Sequence, residues 1–165
     1  MDTLADLVLN ALKFIFPAYC ANAAPVLFGG GFPLDFGKNF YDGKPIFGKN
    51  KTFKGFFSGL AIGTTVGAVE SIFFGYPIHL GFLLALGALV GDLAGAFLKR
   101  RIGIPPGETL PIVDQIDFAV GALIFSSPLN MLFPELVITV LAITPPLHML
   151  TNFAAYKMGL KKKPW

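Results

Sequence analysis

Five long apolar runs set the strongest constraint on what this chain can fold into. Most of them approach the ~20 residues that a helix needs to cross a hydrocarbon core about 30 Å thick. Of the 165 residues, 54% are hydrophobic and only 14% are charged, whereas about 25% of a soluble domain is charged. We therefore expect an all-α integral membrane protein with about five transmembrane helices. The runs are residues 4–28, 56–76, 77–98, 118–133 and 136–156.

The basic residues distinguish the two ends of these helices. Twelve of the 13 Lys and Arg residues lie in the segments after runs one, three and five, and the exception is Lys13. Because basic loops remain in the cytoplasm, the pattern predicts an external N-terminus, a cytoplasmic C-terminus and a multi-pass protein of the cell membrane. The net charge of +3 is then a topology signal. No basic stripe with interleaved aromatic residues indicates nucleic-acid binding.

The organisation of the chain is that of one domain. We expect a single transmembrane domain over residues 1–165, with cytoplasmic loops at about 29–54 and 99–116. The fourth run is short, so its helix is expected to begin near Asp114. Cys20 is the only cysteine, which excludes an intrachain disulfide and a cysteine-based metal cluster. The segment before residues 21–23 is acidic where a signal peptide is basic, so the first span is expected to remain in the mature protein.

Glycines form regular ribs on two of the predicted helices. They stand at positions 55, 59, 63 and 67 of span two and at 87, 91 and 95 of span three. Small residues at this spacing let helix backbones approach closely in lipid. We expect spans two and three to touch along these ribs. The alternative is that Gly91 or Gly95 makes room for a ligand beside Asp92.

Three carboxylates point to a metal site. Asp92 lies inside an apolar segment, where an ionised group is costly and suggests function by default. Asp114 and Asp117 have the i, i+3 spacing that lets them face the same way. Mg²⁺ prefers a few carboxylates together with waters and substrate phosphates, so we predict that the three aspartates bind Mg²⁺. The alternatives are a buried ion pair for Asp92 and helix capping for the other two.

Cations near these carboxylates are candidates for phosphate binding. Lys99 and Arg100 end span three, and the Pro-Gly turn at Gly107 would fold the next loop over them and present a backbone N–H. Lys51 and Lys54 lie where the first loop enters span two. Membrane anchoring explains the same cations without a substrate. A phosphate loop is not expected at residues 43–50, because Asn50 replaces the required Ser or Thr.

Other intramembrane polar residues are weaker candidates. Asn22 lies near Pro25 at the inner end of span one. Its side chain either binds a ligand or has a purely structural role in the helix. Glu70 is expected to extend towards the outer interface. His148 is expected to be a packed or hydrogen-bonded histidine.

The order of these motifs resembles that of a known enzyme family, the CDP-diacylglycerol synthases, and most closely their short archaeal branch, the CDP-archaeol synthases. The resemblance covers roughly residues 20–160. Its main motifs are Gly91-Asp92 through Lys99-Arg100, Pro106-Gly107 and Asp114 through Phe118; supporting ones are Asn22 through Pro25, Asp42 through Lys44 and Lys51-Thr52-Phe53-Lys54-Gly55.

The resemblance implies a Mg²⁺-dependent cytidylyl transfer at the cytoplasmic face. The expected partners are CTP, the lipid 2,3-bis-O-geranylgeranylglycerol 1-phosphate and membrane lipids, and a homo-oligomer remains open. The implied catalytic residues are Asp92, Lys99, Asp114 and Asp117. The implied substrate-binding residues are Asn22, Lys51, Thr52, Lys54, Lys99, Arg100 and Gly107.

Two other functions compete with this one. Another membrane lipid phosphotransferase would use similar groups, although the longer Asp-rich motif of one such class is absent. A small ion transporter would use Asp92 and Glu70 as intramembrane sites. It should need carboxylates across the full membrane depth, whereas the polar residues here concentrate at one end.

Overall fold

Five α-helices form the framework of the computed structural model, which describes residues 3–161 and Lys163. A 3₁₀ turn, Ser127–Leu129, follows the fourth helix, and no extended strand occurs among the described residues. The predicted all-α fold is confirmed. The helices are α1 Leu4–Phe28, α2 Phe53–Phe74, α3 Leu80–Arg101, α4 Val113–Ser126 and α5 Pro134–Lys157.

Four helices, α1, α2, α3 and α5, are long and apolar enough to cross a membrane. The fourth, α4, has 14 residues, which corresponds to a rise of about 21 Å. By itself this is shorter than a hydrocarbon core of about 30 Å. As predicted, α4 begins next to Asp114, so it carries its carboxylates at its first turns.

The loops are shorter than the sequence predicted. α3 continues through Arg101, so the second loop covers residues 102–112 instead of 99–116. Basic residues in the last turn of α3 favour this continuation because they oppose the negative end of the helix dipole. The first loop ends at Thr52, whose hydroxyl oxygen accepts the Gly55 N–H at 3.1 Å and caps α2. We call the bundle end formed by residues 29–52, 102–112, 158–161 and 163 the basic end.

The glycine rib of α2 packs against both α1 and α3. A methyl group at Gly59 would lie 2.6 Å from the Ala21 carbonyl oxygen. The Ala21 carbonyl has no helical hydrogen bond from residue 25, because proline has no N–H. Gly59 lets α2 approach this carbonyl closely. The rib therefore serves helix association, as small residues at this spacing do in lipid.

The expected contact of α2 with α3 along the ribs is confirmed for the α2 rib and wrong for the α3 rib. α2 and α3 approach each other most closely at Gly67 and Gly81, and added methyl groups at Gly59 and Gly63 would also meet side chains of α3. The rib at positions 87, 91 and 95 of α3 faces α4 instead, where an added methyl group would collide with Gly121 or Asp117. The spacing of small residues specifies a close approach, but it does not specify the partner helix.

The hydrophobic core lies where α1, α3, α4 and α5 meet. Its largest fully buried members include Ile15, Leu84, Phe118 and Val140. Glu70 differs from the expectation that it would reach the interface, because its residue is only 8% exposed. Since α2 turns this position inwards, the side chain is enclosed by the bundle.

Candidate active site

Two adjoining cavities open at the basic end. The smaller has a volume of about 440 Å³ and lies between the two loops and the end of α3. The larger has a volume of about 1150 Å³ and runs between α1, α5 and the ends of α2 and α3, with a mainly apolar lining. Six residues line both cavities and mark the place where they meet: Asn50, Lys51, Lys99, Thr109, Asp114 and Lys161. We call this place the junction.

Lys51 and Asp92 form one side of the junction. The Lys51 ammonium donates to Asp92 Oδ2 at 2.5 Å, and both side chains are about one-quarter exposed. The ion pair joins the end of the first loop to the middle of α3. Asp92 thus forms an ion pair, which the sequence analysis gave as the alternative to a metal ligand.

Lys99 and Asp114 form the opposite side. The Lys99 ammonium lies 2.7 Å from one Asp114 carboxylate oxygen and 2.8 Å from the other. The carboxylate also accepts the Leu110 N–H at 2.9 Å, so it fixes the end of the second loop. The pair is largely enclosed, with side-chain exposures of 14% and 17%. A charge-assisted bond in such surroundings holds both groups in place.

Asp117 lies against α3 and depends on Gly95 for its space. A methyl group at Gly95 would collide with the Asp117 carboxylate, and one at Gly91 would collide with the Asp117 carbonyl. Gly95 therefore makes room for a carboxylate of the chain itself. The carboxylate accepts the Phe118 N–H at 2.6 Å. Within residues 3–161 and 163, no cation lies at ion-pair distance from it.

The predicted magnesium ligands are neighbours but do not form a closed cluster. No three His, Cys, Asp or Glu side chains among the described residues lie close enough to share a metal ion. The donor chemistry nevertheless fits Mg²⁺, which prefers carboxylate oxygens supplemented by water and phosphate. Asp117, a carboxylate without a cationic partner in the described chain, is the member that such an ion would compensate. The metal site remains a prediction.

Arg100 contributes a buried positive charge to the smaller cavity. Its residue is 3% exposed, and its Nε donates to the Ala96 carbonyl at 3.4 Å. Its Nη1 is buried without a hydrogen-bond partner. An unsatisfied guanidinium nitrogen is costly to bury, so an anion in the cavity would complete its bonding.

The remaining predicted residues divide between the cavities and the surface. Asn22 and Thr52 line the larger cavity, and Gly107 lines the smaller one. The Thr52 hydroxyl already caps α2. Lys54 is exposed and lines neither cavity, so the structure does not bring it to the site.

Asp35 organises the first loop, a role that no motif in the sequence indicated. Its residue is 5% exposed, and its carboxylate accepts the backbone N–H groups of Gly37, Phe47 and Gly48 at 2.7 to 3.0 Å. Burial acts to raise the pKa of the Asp35 carboxyl, but these N–H groups outweigh it and hold the pKa below its ordinary value. Gly48 in turn contacts Pro106 of the second loop, so Asp35 helps to shape the wall of the smaller cavity.

Arg101 fixes the same loop to α3. Its guanidinium pairs with Asp42, donates to the Pro45 carbonyl at 2.5 Å and lies over the rings of Phe40 and Phe97 at 4.8 Å. Arg101 therefore has a structural role within the chain, and the membrane anchoring that the sequence suggested for the cations ending α3 stays a prediction.

A polar cluster on α5 was missed as a site by the sequence analysis. Lys161 donates to Asn152 Oδ1 at 2.9 Å, and Asn152 Nδ2 lies 3.2 Å from His148 Nδ1. His148 is hydrogen-bonded, as expected, and packs against Phe118 with ring centroids 5.9 Å apart. All three polar residues line the larger cavity. In the sequence, Lys161 was one of four lysines that explained the topology.

The chain is similar to proteins of one family over nearly its whole length. The family model for CarS-like proteins, described as CDP-archaeol synthase, matches residues 4–165. The chain is 46% identical to a CDP-archaeol synthase of Pyrococcus furiosus over 164 residues, covering 96% of this chain and 98% of that protein. The chain belongs to the CDP-archaeol synthase family.

Other members of the family extend the match. A CDP-archaeol synthase of Methanococcus aeolicus is 43% identical over 173 residues, covering 96% of this chain and 97% of that protein. A solved structure of an intramembrane enzyme for archaeal membrane lipids biosynthesis superimposes with a TM-score of 0.83 at 38% identity, covering 88% of this chain and 94% of that one. The chain is therefore a multi-pass membrane protein with an enzyme fold.

Proposed function

We propose that the chain transfers CMP from CTP to the phosphate of 2,3-bis-O-geranylgeranylglycerol 1-phosphate, giving CDP-archaeol and pyrophosphate. Family membership over nearly the whole chain supports this reaction. The observation that carries it in the structure is the junction, where a small cavity lined by cations meets a large apolar one. Such a pair of cavities suits one polyanionic and one hydrocarbon-tailed substrate.

The smaller cavity is the proposed place of the triphosphate. Lys51, Lys99 and Arg100 line it together with the turn at Gly107. Lys99 and Arg100 lie at the C-terminal end of α3, so they supply positive charge where the helix dipole does not. Their charges would neutralise phosphate oxygens, and an anion would satisfy the free Arg100 nitrogen.

The larger cavity is the proposed place of the lipid. Its lining includes Leu12, Phe16, Val26 and Leu147, which suit isoprenoid chains. Burial of each CH₂ group of the lipid contributes about 0.8 kcal/mol. The polar end of this cavity is the junction, so a lipid held there presents its phosphate to the triphosphate.

The reaction needs positioning and charge compensation. An oxygen of the lipid phosphate attacks the α-phosphorus of CTP, a new P–O bond forms, and the α–β bridging oxygen leaves with pyrophosphate. The nucleophile is already anionic at neutral pH, so no general base is required. Holding the two phosphates in line supplies an effective concentration, and Lys51 and Lys99 offset the negative charge at the junction.

Asp92, Asp114 and Asp117 are the proposed ligands of Mg²⁺. When bound, the ion would polarise the α-phosphate and stabilise the departing pyrophosphate. The chain places the first two carboxylates beside lysines. The same lysines would then face the substrate phosphates.

The active site is proposed to lie at the cytoplasmic face of the cell membrane. The basic end holds the loops and the junction, and basic loops remain in the cytoplasm. CTP is a cytoplasmic substrate. This orientation would give the smaller cavity direct access to it.

The test is incorporation of label from α-³²P-CTP into lipid by purified protein in detergent with Mg²⁺ and the geranylgeranyl ether lipid phosphate. We expect a radiolabelled lipid that disappears with EDTA or with the Asp117→Asn variant. No label in a folded sample supplied with several lipid phosphates would contradict the proposal. A parallel assay with γ-³²P-CTP and a lipid alcohol that labelled the lipid would instead identify a kinase.

A further inference from the structure

The polar cluster of His148, Asn152 and Lys161 gives the larger cavity a basic group that the reaction has not yet used. Lys161 lies after the end of α5, yet it folds back so that its ammonium donates to the Asn152 amide oxygen. Asn152 is held in turn against the imidazole of His148. The ammonium is therefore fixed towards the cavity by a side chain of α5.

Lys161 lies at the junction, because it lines both cavities. Burial lowers the pKa of Lys161, Asp114 opposes this shift and Lys51 adds to it. The Lys161 ammonium is thus partly desolvated. It nevertheless forms no ion pair among the described residues, whereas Lys51 and Lys99 each pair with a carboxylate. A partly buried ammonium in this situation favours an incoming anion.

The lining of the two cavities distinguishes between the two phosphate-bearing substrates. His148 and Asn152 line only the larger, apolar cavity, whereas Arg100 and Gly107 line only the smaller one. Lys161 is held from the side of the larger cavity although it reaches the junction. Its position suits a phosphate that arrives on a hydrocarbon tail.

We propose that Lys161, positioned by Asn152, binds the phosphate group of the lipid substrate. This inference rests on the proposed function and assigns the nucleophile its own cation, separate from the cations that face CTP. Lys161 is then a substrate-binding residue, and Asn152 is a positioning residue. His148 orients the Asn152 amide and does not itself need to touch substrate.

The experiment compares KM for the lipid phosphate and KM for CTP in Lys161→Ala, Lys161→Arg and Asn152→Ala. Loss of a charged hydrogen bond should raise KM for the lipid about 10- to 100-fold in Lys161→Ala. We expect KM for CTP to change less than about threefold, Lys161→Arg to recover most of the affinity, and Asn152→Ala to show a smaller rise. Lys157→Ala is the matched control, because Lys157 is exposed and lines neither cavity.

A rise in KM for CTP alone, or no change in either KM, would overturn the proposal. Equal rises in KM for the lipid in Lys157→Ala and Lys161→Ala would also contradict the proposal, because general membrane electrostatics would then explain both. Binding of the lipid phosphate to protein in nanodiscs without CTP gives a readout independent of turnover. An inactive wild type that still binds the lipid through Lys161 would contradict the proposed reaction and leave this inference standing.

Discussion

The three aspartates of the site differ in their partners, although they lie on two adjacent helices. Asp92 and Asp114 each have a lysine, and Asp117 has only a backbone N–H among the described residues. A carboxylate that lacks a cation and is close to two others contributes little to folding. Its presence is better explained by what the site binds than by what holds the fold together.

This argument gives the first prediction at the scale of the residue. Asp117→Asn should lower kcat by about 100-fold or more, because a carboxylate that would hold the charge-compensating Mg²⁺ is lost. The melting temperature should stay the same or rise, because repulsion among the carboxylates is relieved. Glu135→Gln is the control, since Glu135 is an exposed carboxylate at the other end of the bundle. A variant with normal kcat would contradict the assigned role.

Asp35 gives a prediction of pH dependence. Its pKa is lowered in the folded protein, so its stabilising effect is present above the unfolded pKa of about 3.9 and is lost as pH falls through the lower folded value. Asp35→Asn should therefore reduce the melting temperature at pH 7, and the difference from the wild type should close at the acid end. Melting curves between pH 7 and 3 measure this. A difference that stays constant over this range would show that the backbone bonds do not depend on the carboxylate charge.

At the scale of the helices, the sequence predicted most of the fold. The first apolar run coincides with α1, and the others agree with their helices to within a few residues except for the fourth, whose run 118–133 corresponds to a helix over Val113–Ser126. The length of each apolar run and the Gly or Pro residues that flank it determine these boundaries locally. Which helix faces the rib of α3 depends on the packing of the whole bundle. The expectation that this rib faces α2 was therefore wrong, and it faces α4.

The residues of the site could likewise be predicted from the sequence only where a local motif marks them. Asp92, Lys99, Arg100 and Asp114 were found because each stands out in a local motif, and the structure places all four at the cavities. Lys161 could not be distinguished from its neighbouring lysines by sequence alone. Its contact with Asn152 depends on how the chain turns after α5.

The interface between α3 and α4 supports a prediction of its own. Gly95→Ala places a methyl group against the Asp117 side chain, whereas Gly87→Ala places one against the backbone of Gly121. Overpacking costs about 1–3 kcal/mol, and a backbone yields less readily than a side chain. We expect Gly87→Ala to lower the melting temperature more and Gly95→Ala to lower kcat more. Measuring both quantities for both variants tests this, and the reverse order would contradict the assignment of Gly95 to the site.

At the scale of the whole molecule, function requires that the junction have access to two phases. The smaller cavity must open to water for a triphosphate, and the larger must open to hydrocarbon for a lipid. The distribution of charge agrees with this requirement, because the loops of the basic end carry the cations while exposed apolar side chains cover the helices. The fold thus brings a water-soluble and a membrane-bound substrate to one place.

The orientation of the molecule in the membrane follows from the same asymmetry and is open to a direct test. In a Cys20→Ser background, single cysteines at Lys38 and His79 report on opposite ends, since both positions are exposed. If the basic end is cytoplasmic, an impermeant maleimide added to intact cells should label the His79→Cys variant and spare Lys38→Cys. Inverted vesicles should give the opposite result. Labelling of Lys38→Cys in intact cells would place the smaller cavity outside and remove its access to CTP.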